Sequence, residues 1–167
     1  MTSPLHIRPV EPGDAAELAE LLNAIIARGG TTALQHPYTP ERLAQAYLSG
    51  PQVICCFVAE AEGQLLGFQT LGHIAALPDD IGDIGTFTRI DGIQRGVGSA
   101  LFAATCTRAR DLGLTAINAV IRADNTGGLT FYSRQGFVDH HIVRGVPLND
   151  GTPVDRVWKR YSLSAQS

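Results

Sequence analysis

The chain has 167 residues, 44% hydrophobic and 17% charged, so it is long enough for one domain with a buried core and too short for two ordinary domains. Its formal charge of −3 argues against a general nucleic-acid binder, which normally has a strongly basic face. No apolar run approaches a membrane span and the first residues lack the features of a signal peptide, so we expect a cytoplasmic single domain over residues 1–167 that binds neither nucleic acid nor membrane.

The first part of the chain predicts a strand and a helix. Residues 5–10 are typical of a short strand. Asp14 is predicted to cap an amphipathic helix, whose apolar residues recur with the helical period until Gly29. Residues 31–38 are predicted to form a loop.

A second helix and a β-hairpin follow. Thr39 is predicted to cap this helix, with Pro40 at its first position, and the helix is expected to end near Gly50. Residues 53–59 and 64–75 flank turn-forming residues and therefore predict a hairpin.

The second half of the sequence predicts strands that alternate with helices before a closing strand pair. Asn125 is predicted to cap the second of these helices, which ends at Gly136. In order, the elements are a strand at 83–90, a helix at 96–112, a strand at 115–121, the helix after Asn125, and strands at 137–146 and 153–163.

Charge is unevenly divided along the chain. Residues 1–80 carry 3 cationic and 9 acidic side chains, a net of −6, whereas residues 81–167 carry 10 and 7, a net of +3. The second half can therefore host a small polyanion, although an ordinary mixed surface explains the distribution as well. Three cysteines without the spacing of a metal site are predicted to be reduced core residues, and no metal site is expected.

A Gly-x-Gly turn, Gly96-Val97-Gly98, stands between a predicted strand and a predicted helix. Glycines let the backbone turn tightly and bring consecutive N–H groups close to a ligand, and the following helix adds the positive end of its dipole. The turn predicts a phosphate site, and the alternative is a tight turn without a ligand.

Two motifs resemble the acetyl-CoA-binding motifs of the GCN5-related N-acetyltransferases (GNAT). The first is Gly96-Val97-Gly98, and the second is Asn125-x-x-Gly-x-x-Phe131-Tyr132-x-x-x-Gly136-Phe137 after the next strand. The N-terminal part is similar to the start of the phosphinothricin acetyltransferase-like branch, at Ile7-Arg8-Pro9, Asp14, Asn23 and Thr39-Pro40-Glu41.

The resemblance implies a fold and an activity. The expected fold is a single α/β (α+β) GNAT-like domain, in which a mixed, mostly antiparallel, splayed β-sheet of about seven strands is flanked by about four helices. The expected activity is acetyl-CoA-dependent transfer of acetyl to the primary amine of a small amino-acid-like substrate, by direct attack in a ternary complex. Domains of this family often form homodimers, so a homodimer is expected.

The resemblance also implies the cofactor residues. In the family, backbone N–H groups of the loop entering the central helix hold the pyrophosphate of acetyl-CoA. The preceding strand should run beside the pantetheine arm, with the N–H of Thr88 polarising the thioester carbonyl, and Asn125 should cap its helix and contact the cofactor. The chain departs from the family at Ile93, where Gln or Arg is usual. The implied cofactor residues are Thr88, Arg89, Ile90, Gln94, Arg95, Gly96, Val97, Gly98, Ser99 and Asn125.

Two residues match the positions of an acid and a base. Tyr132 stands where the family often places a tyrosine near the sulfur, and a phenol can donate a proton to a departing thiolate. Asp83 stands where the phosphinothricin-like branch has a glutamate proposed as the base, and its shorter side chain favours a water relay. The alternatives are a packing role for Tyr132 and a polar turn residue at Asp83.

The expected acceptor pocket combines residues from a loop and from a strand. Thr31, Thr32 and Gln35 are expected to line its pocket from the loop between the first two helices, and Gln69 and His73 from a strand, although a structural role for His73 is an alternative. Residues 146–153 replace the branch's Lys-aromatic-Gly-x-Trp pattern, which leaves the amine open. Arg144 or Arg156 is a candidate to pair with a substrate carboxylate.

Two other functions fit the same motifs. A protein or peptide N-acetyltransferase would prefer peptides to free amino acids, and a non-catalytic acyl-CoA-binding module would use Gly96 and Gly98 without Tyr132 or Asp83. A nucleoside triphosphate enzyme is disfavoured, because the turn lacks the Gly-Lys-Ser/Thr that holds phosphate and magnesium.

Overall fold

The computed structural model describes residues 4–90 and 96–163. Its elements alternate largely as the sequence predicts, with small differences at their ends. In chain order they are β1 (His6–Pro9), α1 (Ala15–Arg28), α2 (Pro40–Leu43) continuing into a π-helical turn (Ala44–Leu48), β2 (Val53–Ala61), β3 (Gln64–Gly72), β4 (Ile81–Thr88), α3 (Val97–Asp111), β5 (Ala116–Arg122), α4 (Thr126–Gln135), β6 (Val138–Pro147) and β7 (Pro153–Ser162).

One seven-stranded sheet organises the molecule, in the order β1-β2-β3-β4-β5-β7-β6. Among the strands that the structure describes, only β4 and β5 pair in parallel, and every other neighbouring pair is antiparallel. The predicted mixed, mostly antiparallel sheet is therefore confirmed. The parallel pair follows from the helical crossover through α3, since a tight turn can join only antiparallel neighbours.

Helices cover both faces of the sheet because strand side chains alternate between the two faces. Helices α1 and α2 bury Leu18, Leu22 and Leu43 against Phe68 of β3. On the opposite face, α3 and α4 pack on β5 and its neighbours, with Phe102, Ile117, Tyr132 and Phe137 in the core. All three cysteines are free thiols, as the sequence predicts, with Cys56 and Cys106 buried and Cys55 half-buried. Within the described residues no helix is both long and apolar enough to cross a membrane.

Local side-chain contacts confirm two helix caps and correct a third. Thr39 Oγ1 accepts from the N–H of Arg42 at 3.1 Å, and Asn125 Oδ1 accepts from the N–H of Gly128 at 3.0 Å. Asp14 precedes α1 as predicted, but its carboxylate does not cap that helix. It accepts two 2.9 Å hydrogen bonds from the Arg8 guanidinium, as a bidentate charge-assisted pair, and one from the N–H of Glu11 at 2.8 Å.

The first hairpin and β4 also begin and end differently from the prediction. Glu62 and Gly63 alone connect β2 and β3, both with positive φ of 52° and 74°, as a tight two-residue hairpin turn requires. Strand β4 begins at Ile81, so Asp83 lies inside a strand and not in a turn. This placement excludes the turn alternative for Asp83 and brings it beside β5.

Candidate active site

A gap opens in the sheet where β4 and β5 diverge. Their parallel pairing runs from Ile81 opposite Ala116 to Ile84 opposite Ala119, and in the described residues it extends no further. The N–H of Arg89 donates to the Leu66 carbonyl at 2.9 Å, and alternate residues of an antiparallel strand face opposite neighbours. The N–H groups of Thr86 and Thr88 consequently face the gap and are available to a ligand.

The gap forms the floor of a cleft of about 820 Å³. Its walls come from the loop after α1, from β4, from the first turns of α3 and α4, and from the end of β5. Most of the predicted site residues line it: Thr31, Thr32, His73, Asp83, Thr88, Arg89, Ile90, Gly96, Val97, Gly98, Ser99, Asn125 and Tyr132. Gln35 and Gln69 do not, and Gln94 and Arg95 lie outside the described residues.

The first turn of α3 closes one end of the cleft. Gly96 precedes it with a φ of +85°, a left-handed conformation that favours glycine. At Gly98, a Cβ atom would stand 2.7 Å from Cε1 of Phe131, so only glycine lets α4 pack so closely against this turn. The first N–H groups of this 15-residue helix have no partner within the helix, and they are suited to bind an anion.

Asp83 lines the cleft from β4. The Nδ2 of Asn118, its partner on β5, donates to Asp83 Oδ1 at 2.9 Å. Burial raises the pKa of Asp83 to about 6, while the hydrogen bond from Asn118 acts in the opposite direction. A carboxyl group with this pKa is ionised at neutral pH and yet basic enough to accept a proton.

Tyr132 lines the same cleft from α4. Its hydroxyl lies 2.9 Å from Thr86 Oγ1, which accepts a hydrogen bond of 3.0 Å from Gln69 Nε2. Because the amide nitrogen of Gln69 can only donate, the hydroxyl proton of Thr86 is available to Tyr132. Burial raises the pKa of Tyr132 to about 12, so the phenol is protonated at neutral pH.

Hydrogen bonds fasten the loop between α1 and α2 across the rim of the cleft. The Thr31 carbonyl accepts from Asn125 Nδ2 at 3.0 Å, and the Thr32 carbonyl accepts from Arg122 Nη1 at 3.2 Å. Further along the loop, Gln35 Oε1 accepts from the N–H of Asn149 at 2.8 Å. The loop therefore connects the start of α4 with the loop between β6 and β7.

Comparison with known proteins agrees with this geometry. The family model for the acetyltransferase (GNAT) family matches residues 19–137. The chain belongs to this family. A search of curated protein sequences finds no match. The sequence-based recognition of a GNAT N-acetyltransferase is confirmed.

Solved GNAT structures share the fold over nearly the whole chain. An N-acetyltransferase from Staphylococcus aureus Mu50 superposes with a TM-score of 0.85 at 20% identity, covering 97% of this chain and 100% of that chain. A GCN5-related N-acetyltransferase from Kribbella flavida gives 0.81 at 22% identity, covering 95% and 97%. A phosphinothricin acetyltransferase from Sinorhizobium meliloti, solved in complex with acetyl-CoA, gives 0.82 at 16% identity, covering 95% and 88%.

Two predicted acceptor residues of this GNAT domain have other partners. Gln69 is 0% exposed and lies behind Thr86, so its prediction as a pocket residue is wrong; it reaches Tyr132 only through Thr86. Gln35 binds the backbone of the loop between β6 and β7 and does not line the cleft. Both corrections depend on the register and the loop contacts, which the residue pattern alone does not contain.

The arginines near the GNAT cleft are mostly engaged in structural contacts. Arg89 donates to Glu17 Oε2 at 3.0 Å and to the Leu65 carbonyl, so its guanidinium joins β4 to α1. The candidate carboxylate ligands also lie elsewhere: Arg144 is exposed and pairs with Asp155 at 3.0 Å, and Arg156 is buried and donates to the Val154 carbonyl at 2.9 Å. Neither Arg144 nor Arg156 lines the cleft.

Sequence reasoning missed Asn118 and Thr86. Neither belongs to a motif, yet Asn118 is a polar residue in the middle of an apolar strand, and Thr86 forms hydrogen bonds with both Gln69 and Tyr132. A buried amide requires a hydrogen-bond partner, so Asn118 was the available signal. Finding its partner required the register of β4 against β5.

Proposed function

We propose that this chain is an acetyl-CoA-dependent N-acetyltransferase that acts on the primary amine of a small amino-acid-like substrate by direct attack in a ternary complex. The observation that carries the proposal is the presence of Asp83 and Tyr132 in one cleft at the gap between β4 and β5. Their pKa values of about 6 and about 12 keep one ionised and the other protonated at neutral pH. A base and an acid are therefore available together.

The residues of the cleft fit acetyl-CoA. The N–H of Thr86 is free to bind an amide carbonyl of a pantetheine arm, the N–H of Thr88 is free for the thioester oxygen, and the N–H groups at Gly96, Val97, Gly98 and Ser99 suit a pyrophosphate. Gln94 and Arg95 are proposed to continue this loop contact, although they lie outside the described residues. When bound, acetyl-CoA supplies the acetyl group as an activated thioester.

Each proposed catalytic group transfers a proton or stabilises a charge at one step of the reaction. Asp83 accepts a proton from the ammonium of the acceptor, directly or through one water molecule, which leaves the amine nucleophilic. The N–H of Thr88 donates to the thioester oxygen as negative charge develops there. Tyr132 Oη delivers a proton to the sulfur as the bond between sulfur and the acetyl carbon breaks, and Thr86 holds the phenol in place. The nitrogen loses its second proton on becoming an amide, and that proton restores the phenol.

Several features favour a small acceptor with one amine. The loop between α1 and α2 is fastened over the rim of the cleft, so Thr31 and Thr32 enclose its acceptor end, with His73 proposed as a further contact. Asp83 is the only acid among the described lining residues, and it matches one ammonium group. A polyamine or a lysine-rich peptide would leave further cations without partners.

The proposal is tested by measuring free-CoA release with a thiol reagent. The acceptors are free amino acids, polyamines and short peptides, and the control omits the protein. We expect turnover with amino-acid-like monoamines and little with the other two classes. Preferential turnover of peptides would contradict the small-acceptor proposal, and failure to bind acetyl-CoA in calorimetry would contradict the cofactor assignment.

We also propose that the protein is a cytoplasmic homodimer. Strand β6 forms an edge of the sheet and is almost entirely exposed, with Val138 and Ile142 at 65% and 42% exposure. An edge that presents large apolar side chains is suited to pair with a second copy. Light scattering after size exclusion should give the dimer mass, and Val138→Lys should shift it toward the monomer.

A further inference from the structure

Asp83 stands at the end of a hydrogen-bonded chain that crosses three strands. Arg160 of β7 donates from Nε to Asn118 Oδ1 at 3.2 Å, and Asn118 of β5 donates from Nδ2 to Asp83 Oδ1 at 2.9 Å. The strand register places these residues opposite one another, Asp83 beside Asn118 and Asn118 beside Arg160. The chain runs from the half-buried Arg160, on the strand next to the edge of the sheet, to the cleft.

The chemistry of the two ends fixes the orientation of the central amide. A guanidinium has only donors and an ionised carboxylate only acceptors, so Asn118 must present its oxygen to Arg160 and its nitrogen to Asp83. Asn118 is 0% exposed, and water cannot replace either contact. One carboxylate oxygen of Asp83 is held in this way, while in the described residues Oδ2 has no hydrogen-bond partner and is free for the acceptor.

The other ionisable groups near Asp83 do not supply such a contact. The nearby phenols are Tyr47, from the turn after α2, and Tyr132. Burial and the charge of Asp83 both raise the pKa of these phenols, so they stay neutral beside the carboxylate. His73 follows β3 and lines the same cleft, and Gly72, which faces Asp83 from β3, has no side chain. The hydrogen bond from Asn118 is accordingly the direct polar contact that favours the ionised form of Asp83.

We propose that Asn118 and Arg160 are positioning residues for Asp83: Arg160 orients the amide of Asn118, and Asn118 holds the carboxylate with one oxygen free toward the acceptor. The inference rests on the proposed function of Asp83 as the base. It adds a residue pair that belongs to neither acetyl-CoA motif. The pair also explains how a carboxyl group in a largely apolar strand is kept ionised at neutral pH.

The test compares Asn118→Leu with the unchanged protein in two measurements. The first is the titration of Asp83 in the free protein, followed by the carboxyl carbon signal of ¹³C-labelled aspartate, which is assigned by its absence in Asp83→Asn. The second is the pH profile of kcat/KM with the best acceptor. Leucine has a similar size but no donor, so we expect the pKa of Asp83 to rise by about one to two units in both measurements.

Variants at Arg160 distinguish the orientation of the Asn118 amide from an effect on folding. Arg160→Met removes the donor and leaves Asn118 in place, so we expect a smaller upward shift, and Arg160→Lys should restore part of it. Thr105→Val is the matched control, because Thr105 is also fully buried but has no hydrogen-bond partner in the described structure. We expect no shift in Thr105→Val.

The two measurements distinguish the inference from the proposed function. An unchanged carbon titration in both Asn118→Leu and Arg160→Met would overturn the positioning role. A shifted titration with an unshifted rate profile would support the positioning role and contradict the assignment of Asp83 as the base. Arg160→Met decides the question if Asn118→Leu does not fold.

Discussion

Three side chains in a row determine the environment of the Tyr132 hydroxyl. Gln69 donates to Thr86, and Thr86 lies 2.9 Å from Tyr132, so the phenol can keep its own proton for the cleft. We expect Tyr132→Phe to lower kcat roughly a hundredfold, because general acid catalysis is lost while acetyl-CoA binding is retained. Steady-state rates and calorimetry test this. Unchanged turnover with every accepted amine would show that Tyr132 is not the acid.

Thr86 provides a second test of the same arrangement. Thr86→Val leaves Gln69 Nε2 and Tyr132 without their partner, so we expect a stability loss of about 1–3 kcal/mol and a lower kcat. Thr86→Ser keeps the hydroxyl and should retain most of both. Denaturant unfolding and initial rates measure these effects. Equal behaviour of the two variants would mean that the hydroxyl has no part in them.

At the scale of elements, the close contact of α3 with α4 shapes the anion-binding end of the cleft. A Cβ at Gly98 would meet Phe131 Cε1 at 2.7 Å, so Gly98→Ala must displace the Phe131 ring or the helix that carries it. We expect weaker acetyl-CoA binding and a lower melting temperature. Gly127→Ala is the control, because its Cβ would meet only Asn125 Oδ1 at 3.8 Å and helical alanine is favoured over glycine.

Calorimetry measures acetyl-CoA binding by the two glycine variants, and thermal unfolding measures their melting temperatures. Gly127→Ala should be as stable as the unchanged protein or more so, since the added methyl group has room. Acetyl-CoA binding by Gly98→Ala that equals that of the unchanged protein would show that the contact between α3 and α4 does not shape the site.

The sequence predicts the helices and strands well, but it predicts the contacts between them poorly. Helices and strands follow from local periodicity and caps, so Thr39 and Asn125 were identified correctly. Asp14 was assigned a local cap, yet its carboxylate binds Arg8. The pattern puts Gln69 in the pocket, whereas the register of β3 against β4 sets it opposite Thr86, to which it donates. Local patterns contain the elements, whereas long-range pairing determines which polar side chains meet.

Motifs explain why part of the site was nevertheless predictable. Gly96, Gly98 and Tyr132 belong to two spaced motifs, and all three line the cleft. Asn118 and Thr86 act through partners on other elements, so no local spacing marks them. A loop that binds a cofactor through its backbone requires glycines at fixed spacing, which can be recognised in the sequence. Side-chain hydrogen bonds between strands require no such spacing.

For the molecule as a whole, the protonation of Asp83 in the cleft changes the free energy of unfolding. Its pKa rises from 3.8 to about 6 on folding because the carboxyl group is buried. The folded protein therefore binds this proton more tightly than the unfolded chain does, and the free energy of unfolding falls as the pH rises from about 4 to about 6. Asp14 has a lowered pKa and acts in the opposite sense, but it is unchanged in a comparison of Asp83 variants.

Asp83→Asn isolates this contribution, because asparagine stays neutral at every pH and its side-chain oxygen can still accept from Asn118. We expect Asp83→Asn to be more stable than the unchanged protein at pH 7.5, by about 1–3 kcal/mol, and the difference to shrink toward zero near pH 4. Urea unfolding at the two pH values measures it. A difference that is the same at both values would mean that Asp83 titrates normally in the folded protein. A stabilised variant with impaired turnover would instead show that the buried carboxylate is retained for catalysis at a cost in stability.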